Sequence, residues 1–137
     1  MDNCVFCKIV SGEIPCHKVY EDNQILAFLD ISQTTKGHTL VVTKEHFQNF
    51  LYVPKDLLSR AISVAQKIAQ AEVASLGAKG VNILINTNEA AGQTVMHFHI
   101  HVIPRYDSND NLTIEFTPAQ IGKLNLPAIA EEIKRDL

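Results

Sequence analysis

The sequence predicts an α+β domain: an antiparallel sheet of about five strands, one long helix across a face, and a helix at the C-terminus. Three observations carry this. Period-two, β-branched segments stand on both sides of a single long segment of period 3.6. A polar Asp22-Asn23 corner joins the first two strand-like segments as a pair. A second, shorter helical stretch closes the chain.

In order, "HKVYED" (17–22) and "QILAFLD" (24–30) form the strand pair, and "GHTLVVTK" (37–44) supplies a third strand rich in β-branched residues. From Pro54 the apolar residues Leu58, Ala61, Ile62, Ala65, Ile68, Ala69, Val73 and Leu76 recur at steps of three and four. Gly77 stands where a helix of about six turns would end. "GVNILIN" (80–86) returns to period two, and "HFHIHVI" (97–103) follows a bend at Gly92-Gln93. "LPAIAEEIKRDL" (126–137) is the closing helix. No repeat, low-complexity tract or linker divides the chain, so residues 1–137 are expected to form one domain.

With 137 residues, 46% hydrophobic and 20% charged, the chain can bury a core of its own. No apolar run nears the roughly 18 residues of a membrane span. The start "MDNCVFCKIV" does not resemble a secretory leader, so a cytoplasmic location is expected. A net charge of −3 with scattered Lys and Arg excludes a footprint for nucleic acid polymers. A small phosphorylated ligand needs only local donors and stays open. Among three cysteines, the Cys4-Val-Phe-Cys7 pair favours metal binding over a disulfide framework, and Cys16 reads as a small apolar residue.

The most informative stretch is "QTVMHFHIHVIPR" (93–105). On a strand His97, His99, His101 and Ile103 share one face, while Phe98, Ile100 and Val102 face a core. Successive histidines are then ~6.5–7 Å apart at Cα, a rack about 13 Å long. One histidine so placed is ordinarily a hydrogen-bonded core residue; three in register ask for another account. His-x-His can supply two ligands of a catalytic zinc or iron, but that site wants a third ligand and usually a Glu base, and no strand-borne Glu or Asp is expected beside this row. The remaining reading is nucleophilic catalysis, in which an unprotonated imidazole attacks phosphorus while a neighbour fixes its tautomer or protonates the leaving group.

The row resembles the signature of the histidine-triad (HIT) family, three alternating histidines followed by apolar residues. "CVFCKIVSGEIP" (4–15), "AFLDIS" (27–32), "GHTLVVTK" (37–44) and Asn86 with Gly92-Gln93-Thr94 are similar to the family's other landmarks, in order, as far as about Arg105. The resemblance implies a homodimer of α+β subunits that binds a purine nucleotide and cleaves at its α-phosphate, with adenosine phosphoramidates or diadenosine polyphosphates as substrates. It implies that His99 forms a transient nucleotidyl-histidine, that His101 assists the leaving group, and that His38 supports the triad that His97 bounds. Asn86, Gln93 and Thr94 would hold the phosphate and leaving group as neutral donors. Asp30 would accept both ribose hydroxyls, and Val5, Phe6, Ile9, Ile14, Phe28, Leu29 and Ile31 would line the base pocket. A nucleotide-binding regulator with incidental catalysis is the alternative from another class. Residues 106–137 match no motif; in this family that end often approaches the partner's active site and influences leaving-group choice. His17 lies outside every block and reads as a surface residue.

Cys-x-x-Cys alone fits a metal knuckle, a redox pair or chance, and its place before any substantial helix argues against a thioredoxin-like site. Zinc needs four ligands. Some triad proteins and related nucleotidylyltransferases complete the knuckle with a histidine after the third strand and the first of the triad. The resemblance therefore implies Cys4, Cys7, His46 and His97 as a closed, structural zinc site, with no organic cofactor.

Overall fold

A computed structural model describes residues 3–118 and 121–137. Five antiparallel strands, β1 (Lys18–Glu21), β2 (Ile25–Leu29), β3 (Thr39–Thr43), β4 (Gly80–Leu84) and β5 (His99–Arg105), form one sheet in the order β1-β2-β3-β5-β4. The last strand is thus inserted between two earlier ones. His101 lies opposite Leu40 on one side and Leu84 on the other, and His99 lies opposite Val42. A strand hydrogen-bonded along both edges is the most rigid place a sheet offers for a row of functional side chains.

Both faces of the sheet's middle are covered. On one, helix α2 (Lys55–Leu76) packs Val64, Ala65 and Ile68 against Ile25, Val41, Phe98, Ile100 and Val102. On the other, the short helix α1 (Val5–Val10) sets Phe6 against Leu26, Phe28, Leu40 and Val42. Strands β2 and β3 are therefore buried on both sides and read as continuous apolar runs. Helix α3 (Leu126–Arg135) is capped by Asn125, whose side chain accepts from the Ala128 N–H, and none of its residues is buried. No helix among the described residues is long and apolar enough to cross a membrane.

The periodicity located α2 but misjudged its inner face. The buried positions are Leu57, Ala61, Val64, Ala65, Ile68 and Glu72, whereas Ile62 and Val73 are 42% and 48% exposed. A polar residue on the inward stripe and two apolar ones outside it turn the apparent apolar face away from the true one. Gly77 does end the helix, at φ 75. Strand β5 begins at His99 rather than at His97, because the Phe98 N–H leaves the ladder to donate to the Phe47 carbonyl at 2.7 Å.

Glu72 is 6% exposed, and its Oε1 is the one buried side-chain polar atom among the described residues that lacks a partner. Its Oε2 has only a long contact, 3.5 Å, from the Thr39 hydroxyl. The carboxyl abuts the turn before β3, where Gly37 has φ +99 and a Cβ would come within 2.7 Å of Leu76 Cδ1 and 2.9 Å of Glu72 Oε2. Only glycine allows that approach.

Burial pushes the Glu72 carboxyl up to about 7, above the ordinary 4.5. The folded state therefore keeps a proton that the unfolded chain gives up, and this group's contribution to stability falls as pH rises from about 4.5 through 7. Glu72→Gln cannot ionise. In urea unfolding at pH 5 and pH 8, the stability of the variant relative to wild type should be ~1–3 kcal/mol more favourable at pH 8. Equal differences at both pH values would show that the carboxyl does not titrate in the fold.

Candidate active site and metal cluster

The protons of the histidine row can be assigned from hydrogen bonding, because a carbonyl can only accept. His99 Nδ1 lies 2.7 Å from the His97 carbonyl, so Nδ1 carries the hydrogen and Nε2 presents a lone pair. His97 Nε2 lies 2.7 Å from the Thr43 carbonyl, so its Nδ1 is the bare nitrogen. The Thr34 N–H approaches His38 Nδ1 at 3.4 Å, which leaves the hydrogen on His38 Nε2 to donate to His101 Nδ1, 2.9 Å away. His101 Nε2 then carries a hydrogen of its own. The row thus sets a bare nitrogen on His99 beside an N–H on His101, with ring centroids 5.0 Å apart.

Burial keeps these rings neutral. It lowers His38 and His99, and it takes His97 and His101 down to about 4, the latter with help from His99 and His38. Phe6 meets the His99 ring edge to face at 5.0 Å, part of the apolar wall that desolvates it.

Asp30 follows β2. Its Oδ1 accepts from the Ser32 N–H at 2.8 Å, and its Oδ2 lies 3.8 Å from His38 Nε2. No strand-borne Glu or Asp is expected beside the histidine row, yet Asp30, just past the end of β2, stands there: Asp30, His38 and His101 bring ligand atoms within 4.8 Å of one another. The pairing of β2 with β3 places Asp30 there, its N–H donating to the His38 carbonyl at 3.0 Å. The residues expected around the base divide in two. Phe6 and Phe28 are buried in the core, Ile9, Ile14 and Leu29 are half-buried, and Val5 and Ile31 are exposed, Ile31 to 93%.

The polar loop between β4 and β5 brings Asn86 and Thr94 to its surface, Asn86 half-buried with its side chain against Gly92. Gln93 points inward and is 3% exposed. Its Nε2 donates to the carbonyls of Gln48 and Val95 at 2.8 and 2.9 Å, and its Oε1 accepts from the Asn88 N–H at 2.7 Å. Asn49, buried at 1% exposure, donates to Asn88 Oδ1 at 3.0 Å. Asn49 and Asn88 escaped sequence reading; an Asn in a polar loop is too common to signal anything. Thr94 also lines a cleft of about 650 Å³ with Val5, Cys4 and His46. His17 is exposed, as expected.

Cys4, Cys7, His46 and His97 converge. Cys4 is the N-cap of α1, its sulfur accepting from the Cys7 N–H at 3.3 Å, and this turn brings both sulfurs to one side. His97 Nδ1 lies 3.3 Å from Cys4 Sγ, 3.5 Å from Cys7 Sγ and 3.2 Å from His46 Nδ1, and Cys7 Sγ lies 3.4 Å from His46 Nδ1. A tetrahedral zinc spaces nitrogen and sulfur ligands by about 3.3–3.8 Å, so the residues fit the ion. The tautomer fits too, since the Thr43 carbonyl takes the His97 hydrogen and turns the bare Nδ1 to the sulfurs. Burial and the adjacent Cys4 thiol push Cys7 up to about 11.

Comparison with known proteins agrees with this architecture. A crystal structure of a HIT family protein from Bacillus anthracis superposes with a TM-score of 0.93 at 48% identity, covering 99% of this chain and 98% of that one. A zinc-bound histidine triad family protein from Mycobacterium smegmatis gives a TM-score of 0.77 at 40% identity, covering 98% of each chain. The adenosine 5′-monophosphoramidase of Schizosaccharomyces pombe is 36% identical over 131 residues, 96% of each chain. The HIT domain profile matches residues 11–108, and the chain belongs to the HIT domain family.

Proposed function

We propose that the protein is a nucleotide hydrolase that cleaves purine nucleotide conjugates at the α-phosphate through a nucleotidyl-His99 intermediate. The observation that carries this is the proton arrangement of the row: a bare His99 Nε2 beside an N–H on His101. His99 Nε2 forms a bond to the α-phosphorus as the bond to the leaving group breaks; the His101 Nε2 hydrogen is held in a hydrogen bond to the leaving atom, whose proton comes from solvent. Water then attacks phosphorus, gives its proton to solvent and releases the nucleoside monophosphate with His99 bare again. Asp30 Oδ2 accepts the ribose hydroxyls, Asn86 and Thr94 meet the phosphoryl oxygens, and Val5 and Ile31 flank the base. The monophosphoramidase relative favours adenosine phosphoramidates over diadenosine polyphosphates as substrates. The protein works as a homodimer, a reading supported by the free edge strand β4, whose Ile83 is 47% exposed.

Cys4, Cys7, His46 and His97 hold a structural zinc, supported by the ligand spacing and the zinc-bound relative. It ties α1 and the segment after β3 to the approach to β5. Because all four positions are filled by protein, the ion takes no part in the chemistry.

Metal-dependent hydrolysis is the second reading, and the Asp30–His38–His101 group is the observation that favours it. Three measurements separate the possibilities. His99→Ala should lower turnover of adenosine 5′-monophosphoramidate by at least ~10³-fold while AMP still binds, and near wild-type hydrolysis would sink the covalent route. Metal added to or chelated from the Asp30 side should leave the wild-type rate unchanged; loss of activity on chelation, with the fold and dimer intact, would favour the metal route. Cys7→Ser should purify without zinc and melt at lower temperature yet keep measurable turnover, and retention of one zinc per chain would remove Cys7 from the ligand set.

A further inference from the structure

Among the described residues, one non-glycine residue takes a positive φ: Asn88, at φ 70 and ψ 162. That conformation is nearly exclusive to glycine and is strained for any residue with a Cβ. Asn88 sits in the loop that carries Asn86 and Thr94, so whatever holds it there also sets their positions.

Two buried carboxamides hold it. Its N–H donates to Gln93 Oε1 at 2.7 Å, and its side-chain oxygen accepts from Asn49 Nδ2 at 3.0 Å. Its carbonyl accepts from the N–H groups of Ala91 and Gln93, both at 3.1 Å. Each clamp residue is anchored in turn. Asn49 Oδ1 accepts from the Leu51 N–H at 2.9 Å, and Gln93 Nε2 spends both hydrogens on the Gln48 and Val95 carbonyls. Flipping either carboxamide would set donor against donor and oxygen against oxygen, so the orientations are fixed. Gln93 is left with no amide hydrogen for a phosphoryl oxygen.

We propose that Asn49 and Gln93 are positioning residues that clamp Asn88 in its strained conformation and thereby set the phosphoryl-binding loop, and that Gln93 is not a donor to the phosphate. This rests on the nucleotide-hydrolase reading for its catalytic consequence, but the clamp itself does not. The segment anchoring it, Gln48–Asn49, follows the cluster residue His46 with only Phe47 between them. Loop placement and metal cluster therefore share one short piece of chain.

Glycine reaches the Asn88 conformation without a clamp, and this supplies the test. Asn49→Ala should lower kcat/KM for adenosine 5′-monophosphoramidate by about 10- to 100-fold, Asn88→Gly should keep nearly the wild-type rate, and the double variant should recover to within about threefold of it. A double variant as slow as Asn49→Ala overturns the clamp. In wild-type protein, the Gln93 side-chain NH₂ signals should be slow to exchange and unmoved when AMP is added, whereas those of Asn86 shift; movement of Gln93 with Asn86 still would make Gln93 the ligand and overturn its assignment. If AMP moves nothing and no turnover is found, the hydrolase reading fails. The clamp is then decided by urea midpoints, where Asn88→Gly must suppress the loss caused by Asn49→Ala, and equal losses in both backgrounds overturn it.

Discussion

Strand β5 is hydrogen-bonded along both edges, and most of what is particular to this molecule follows from that one constraint. A strand so fixed has no freedom to twist or slip, so alternation assigns every side chain to one face without exchange. Phe98, Ile100 and Val102 go to α2, and the histidines go to the side closed by α1. Moving the register by one residue would bury three imidazoles under the long helix and expose three large apolar groups. The ladder and the core thus enforce the same arrangement.

Burying imidazoles costs free energy unless each finds a hydrogen-bond partner. Here His97 and His99 each donate to a backbone carbonyl, and His38 and His101 satisfy one another. Each such bond consumes one nitrogen and so decides what the other nitrogen can do. Neutrality is set by burial, and tautomer and direction by the main-chain carbonyls and, for His101, by the His38 ring, all before any ligand arrives, which is the physical content of preorganisation.

The parts legible in the sequence were those with a local signature. Alternation revealed the strands, the three-and-four spacing with Gly77 revealed α2, and four landmark blocks identified the family. The inner face of α2 was not legible, since Glu72 lies inward and Ile62 outward for reasons set by the sheet they pack on. Asp30 beside His38 is likewise a product of β2–β3 pairing rather than of spacing. The Asn49–Asn88–Gln93 contacts join segments about 40 residues apart through ordinary amides, which carry no pattern to read. The short helix α1 was missed because six residues are too few to show a period.

His97 serves two clients through different atoms: its ring faces the cysteines, while its carbonyl oxygen holds the hydrogen of His99. Every amino acid has that carbonyl. A lineage could therefore discard or acquire the cysteine cluster, changing residue 97 along the way, and still present the same bare nitrogen on residue 99. Control of that bare nitrogen lies in a part of the chain that point substitution cannot delete, and this leaves the neighbouring Cys/His cluster free to diverge.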